Sequence, residues 1–119
     1  MSTIAKILIA LVALLHLGFL VMEMFLWTTP TIRASFGLTE DFARQSKALA
    51  ANMGLYNGFL AAGLIWSLIA PAPLGRTLAF FFLGCVVVAG AVGALTVKMS
   101  ILFIQALPAA IALALVILS

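Results

Sequence analysis

Charge is what this chain has least of. Only 8% of its 119 residues are charged: three acids and six Lys or Arg, with a single His besides. A soluble domain carries roughly a quarter charged residues, so this composition cannot cover a water-facing surface. The basic residues stand in ones and twos rather than in a patch, and the net charge of +3 gives nucleic-acid binding no support. Cysteine is also scarce. Cys85, alone in "LGCVVVAG", excludes an intrachain disulfide framework and reads as a small hydrophobe. One His and one Cys leave a single-chain zinc site without ligands, so no metal is expected. Walker, EF-hand and nucleophile-elbow patterns are missing. There is no internal repeat and no low-complexity segment.

Apolar surface is abundant: 66% of residues are hydrophobic and the mean hydropathy is +1.36. Such a chain belongs in a membrane. Period-two alternation is absent, and helices are the spanning element that satisfies every peptide group in a bilayer. The expected fold is all-α, a polytopic four-transmembrane-helix bundle forming one domain over 1–119, with spans at about 4–26, 40–69, 77–95 and 100–118.

The first span, Ile4 to Leu26, is longer than a signal-peptide core and covers about 34 Å. Trp27 and "TTP" end it, with the indole suited to the membrane interface. Residues 28–38 read as a loop. Thr39 reads as an N-cap, with Glu40 and Asp41 in the first turn where acids complement the helix dipole. "PAPLGR" ends the second helix, and "TVKM" permits only a tight turn, making spans three and four antiparallel neighbours. Lys6 and Arg76 fall on one side of the membrane; Arg33, Arg44, Lys47 and Lys98 fall on the other. The positive-inside rule puts the latter side in the cytoplasm and the termini outside.

Against this background a few polar residues stand out. His16 and Glu23 are seven residues apart, on one stripe and about 10 Å apart along the helix axis. That is too far for a direct bond, so each needs a partner of its own or a third group between them. Glu23 reads either as an interfacial carboxylate paired with Arg33 or as a protonatable, ligand-binding group. His16 reads as a neutral imidazole bonded across helices or as a metal or haem ligand, which a symmetric oligomer or one-sided haem ligation would allow. The stretch "ANMGLYNGFLAAG" places Ala50, Gly54, Gly58 and Ala62 four apart, a small-residue ridge that lets helices approach closely. No third glycine or strand makes Gly54 and Gly58 a dinucleotide fingerprint. Asn52, Tyr56 and Asn57 flank the ridge; they serve either as interhelical hydrogen-bonding groups or as the lining of a cavity with His16 and Glu23. Gln105 and Pro108 mark the last span, where proline frees the carbonyl of Ile104 and can bend the helix.

The segments "KILIALVALLHLGFLVMEMFLWTTP", "FGLT", "LAANMGLYNGFLAAGL" and "ILFIQALPA" resemble the small bacterial membrane family labelled domain of unknown function 1304 over nearly the whole chain. The resemblance implies four spans, a bacterial inner-membrane location and no assigned activity. It carries over His16, Glu23, Trp27, Asn52, Tyr56, Asn57, Gly58, Gln105 and Pro108.

Three function classes follow. In the first, a small lipophilic molecule is bound or converted in a polar pocket inside the bundle. His16, Glu23 and Tyr56 supply acid–base chemistry there, and Asn52, Asn57, Gln105 and Trp27 orient the ligand; haem on His16 is the one cofactor considered. In the second, Glu23 couples protons to transport. In the third, the polar residues only join helices. The expected partners are membrane lipids and other copies of the chain, as a dimer or trimer formed partly through small-residue faces.

Overall fold

The computed structural model describes all residues, 1–119. It is all-helical, without strands. The helices are α1 (Thr3–Phe25), α2 (Pro30–Phe36), α3 (Glu40–Gln45), α4 (Lys47–Ile69), α5 (Leu74–Thr96) and, after a π-helical turn at Leu102–Ala106, α6 (Leu107–Leu118). Three of them, α1, α4 and α5, are long and apolar enough to cross a membrane, and the apolar stretch Leu102–Leu118 forms a shorter fourth. The chain is thus an all-α helix bundle of about four helices, with the composition and helix lengths of a membrane protein.

The helices gather into two compact units, residues 15–59 and residues 1–14 with 60–119. The larger unit is built round Ala5, Ile9, Val12 and Ala13 of α1, Leu64 of α4, Ala79, Leu83 and Val86 of α5, and Ala109, Ala112 and Val116 of α6. The preponderance of alanine brings the backbones close together. At Gly90 a Cβ would lie 2.6 Å from the backbone nitrogen of Ala106, so α5 meets the π-helical turn with no room for a side chain. The tight turn after α5 thus joins packed neighbours, as the short "TVKM" link predicts.

The smaller unit departs from the predicted pattern in two places. Residues 28–38 are not a plain loop. Pro30 starts α2, as proline readily does in a first turn, and Gly37 ends it in the left-handed conformation at φ 66°. There Leu38 N–H donates to the Arg33 carbonyl at 2.9 Å, closing the helix with a turn that glycine adopts without steric cost. The predicted continuous helix 40–69 is broken at Ser46. Thr39 caps α3 as expected, its hydroxyl accepting from Phe42 N–H at 3.1 Å. Ser46 then donates its own hydroxyl to the Phe42 carbonyl at 2.7 Å. A serine that bonds its own backbone offers the chain an alternative to the helix ladder, and α4 starts afresh at Lys47.

Two further boundaries differ. The third span begins at Leu74 rather than Thr77, directly after Pro73. In the last span, Pro108 is accommodated by the π-helical turn just before it, where Leu107 N–H reaches back five residues to the Leu102 carbonyl. The wider turn takes up the register that the missing proline N–H disrupts.

Candidate functional site

The sequence-selected polar residues that come together do so in the unit 15–59. Its framework is a close contact between α1 and α4. A Cβ on Gly54 would lie 2.7 Å from Met24 Cγ, 3.1 Å from Glu23 Cβ and 3.2 Å from the Leu20 carbonyl; one on Gly58 would meet Leu20 Cδ1 at 2.6 Å. The ridge of small residues is therefore used inside the chain, against α1, rather than being left free for a second copy. Ala62 does not take part and is exposed. A four-residue step advances about 40° beyond a full turn, so three steps carry the ridge from buried Ala50 off the seam by Ala62.

Across this seam the side-chain amide of Asn57 donates to Oε1 of Glu23 at 2.5 Å. Glu23 is buried, with 8% of its surface exposed, and Asn57 is half-buried. Sequence reading offered Arg33 as the partner of Glu23, but the chain's ion pairs are those of Arg44 with Glu40 and Asp41, at 3.8 and 3.5 Å on the surface. Arg33 instead has its Nε buried without a hydrogen-bond partner. It lies in α2, which closes on Gly37 and bonds through its backbone.

His16 lies on the same stripe of α1 and is completely buried. Its ring meets Phe19 edge to face, with centroids 5.4 Å apart. His16 and Glu23 thus make separate contacts, and no face of the imidazole is open to a flat macrocycle.

Asn52 and Tyr56 are not where an internal pocket would need them. Tyr56 is 60% exposed, its ring edge-on to Phe59 at 5.6 Å, and Asn52 is exposed one turn away. Burying Gly54 against α1 fixes the rotation of α4 and turns these two side chains outward. The acid–base set His16, Glu23 and Tyr56 therefore does not converge on one point. Gln105 is half-buried in the π-helical turn of the other unit. Trp27 is half-buried and donates its indole N–H to Ser46 Oγ at 3.0 Å, with its ring tilted on Phe36 at 5.4 Å. Its role here is to hold the end of α1 to the α3–α4 junction.

The residue that sequence reading missed is Ser46. Its signal was present, a lone serine among polar neighbours ahead of an apolar run, but it was absorbed into an unbroken helix. Leu20 and Met24 were also missed as the seats of the glycines; nothing distinguishes them within a uniformly apolar helix.

The site is thus graded along one stretch of α4: Asn52 and Tyr56 outside, Asn57 at the margin, Glu23 behind it. Chemically it offers a carboxyl held by one amide, and amide and phenol groups open to the surroundings.

No curated protein and no solved structure matches the chain. The profile of one family, described as "Protein of unknown function (DUF1304)", matches residues 10–117. The chain belongs to that family.

Proposed function

We propose that this protein binds a small lipophilic molecule with a hydrogen-bonding head group at the Asn52–Tyr56–Asn57 face of α4, within the bacterial cytoplasmic membrane. The observation that carries the reading is the placement of Asn52 and the Tyr56 hydroxyl. They lie on the exposed side of a helix long and apolar enough to span a membrane, with no hydrogen-bond partner within the chain. Polar groups facing lipid tend to bond to something. The Glu23–Asn57 bond holds the face in place from behind, and the Asn57 carbonyl remains available as an acceptor beside it.

The test is native mass spectrometry of protein extracted in mild detergent. Retained small-molecule adducts other than phospholipid are expected in the wild type and should be lost in the Asn52→Ala/Tyr56→Phe double variant with its melting temperature unchanged. Absence of any adduct from the wild type, with added lipophilic phenols and amides included, would count against the reading.

A second reading is favoured by the glycine seam: the polar residues join helices, and a second copy covers Asn52 and Tyr56 in a dimer or trimer. Efficient disulfide crosslinking of Asn52→Cys in a Cys85→Ser background would support that occupant. The transport reading rests on Glu23 as a proton carrier. Proton release on adding lipophilic cations, abolished by Glu23→Gln, would favour it. The orientation that goes with these readings has Arg33, Arg44, Lys47 and Lys98 in the cytoplasm.

A further inference from the structure

A groove of about 340 Å³ lies on α5, lined by Arg76, Thr77, Phe80 and Phe81. Arg76 and Phe80 are four residues apart, as are Thr77 and Phe81, so the polar pair stands one helical turn from the aromatic pair on the same face. The rings are open to the surroundings, Phe80 at 45% and Phe81 at 64% exposure. Phe81 also stands edge-on to Phe82 at 5.2 Å, and Phe82 packs on the apolar core, which fixes the aromatic wall.

The guanidinium above that wall is short of an anion. Arg76 Nη2 donates to the Ile117 carbonyl at 3.3 Å, a long bond to a neutral acceptor. The three acidic side chains of the chain, Glu23, Glu40 and Asp41, all belong to the unit 15–59, and the ion pairs within 4 Å are those of Arg44, so Arg76 has none, the terminal carboxylate of Ser119 included. The Thr77 hydroxyl rests on the Pro73 carbonyl at 3.3 Å, so Arg76 is the charged donor of the groove. Two of the first-turn amides are engaged: Gly75 donates to Pro71 and Thr77 to Pro73. The groove therefore offers one forked cation, suited to a phosphate, and one apolar wall beginning a turn away.

We infer that this groove seats a phospholipid of anionic head group, its phosphate on Arg76 and an acyl chain along Phe80 and Phe81. The aromatic wall is what points to a lipid rather than to free phosphate. A juxtamembrane cation gains about fivefold in affinity at the anionic cytoplasmic leaflet, and the same scale is expected for Arg76 on the opposite side where that leaflet carries anionic lipid.

Delipidated full-length protein titrated with phosphatidylglycerol, and separately with inorganic phosphate, tests the inference by native mass spectrometry. Phosphatidylglycerol should bind about fivefold more weakly to Arg76→Gln and also more weakly to Phe80→Ala, while inorganic phosphate should leave no adduct. Lys98→Gln removes the same charge beyond the other end of α5 and should bind as the wild type does. Arg76→Lys keeps the charge without the fork and should fall between wild type and Arg76→Gln, which serves if the neutral variant does not fold. Equal loss in Lys98→Gln would show diffuse charge attraction and overturn the site. So would undiminished binding to Arg76→Gln, or binding of inorganic phosphate as tight as that of the lipid.

Discussion

Asn57 donates its side-chain amide to Glu23 at 2.5 Å, joining α1 to α4 across 34 residues of sequence. The bond lies beside a seam in which Gly54 leaves no space for a methyl group. The two features support each other. Close backbones bring a short amide within reach of a carboxyl, and the bond holds the carboxyl where it would otherwise be buried without a donor.

That arrangement predicts a measurable coupling. In a double-mutant cycle of Glu23→Ala and Asn57→Ala, followed by reversible unfolding in detergent micelles, the interaction energy should be about 0.6 kcal/mol and at most about 1.7 kcal/mol, the range for hydrogen bonds between membrane helices. Asn57→Ala alone should cost more, about 1–3 kcal/mol, because it strands a buried acceptor. Additive single effects would mean that the two groups act independently.

The glycines should separate into classes on substitution by alanine. Gly90→Ala drives a Cβ into the backbone of Ala106, and Gly54→Ala drives one into Met24 with the Leu20 carbonyl close behind; each should cost about 1–3 kcal/mol, as overpacking does. Gly58→Ala meets only the end of the Leu20 side chain and should cost less. Gly18 and Gly84 have nothing within 4 Å of an added Cβ, so alanine there should gain about 0.5–1 kcal/mol from reduced backbone entropy. Thermal melting of the five variants checks the ranking, and a destabilised Gly18→Ala would contradict it.

Arg33 gives a prediction of opposite sign. Its Nε is buried without a partner, and a stranded donor costs about 1–3 kcal/mol. Arg33→Met keeps most of the length and removes the polar atoms, so its melting temperature should equal or exceed that of the wild type. A marked fall would show that Arg33 has a partner in the membrane.

Much of the fold is legible in the sequence because apolar runs and their breakers are unambiguous. Ile4–Leu26, the Thr39 cap and the "PAPLGR" break correspond to α1, the start of α3 and the end of α4 within a few residues. What is not legible is rotation. A helix that is apolar on every side but for a few scattered polar groups carries little record of which face is inward, so the polar residues of α4 were read as converging when burial of Gly54 turns Asn52 and Tyr56 outward. Ser46 drew no notice in the sequence, and Pro108 was read only as freeing a carbonyl and able to bend the helix, for a related reason. Each perturbs the helix ladder by an amount that neighbouring contacts decide, giving a one-residue interruption in one case and a widened turn in the other. The Glu23–Asn57 pair was half legible: both residues were conspicuous, but nothing in the spacing favours Asn57 over Arg33 as the carboxyl's partner.

The most direct test of the account measures two quantities on one protein, the Asn52→Ala/Tyr56→Phe double variant: its melting temperature and its retained small-molecule adducts by native mass spectrometry. The account predicts a melting temperature within the error of the wild type, since both side chains are exposed, together with loss of the adducts. A large drop in melting temperature with the adducts intact would contradict it, and would assign these residues to holding helices together.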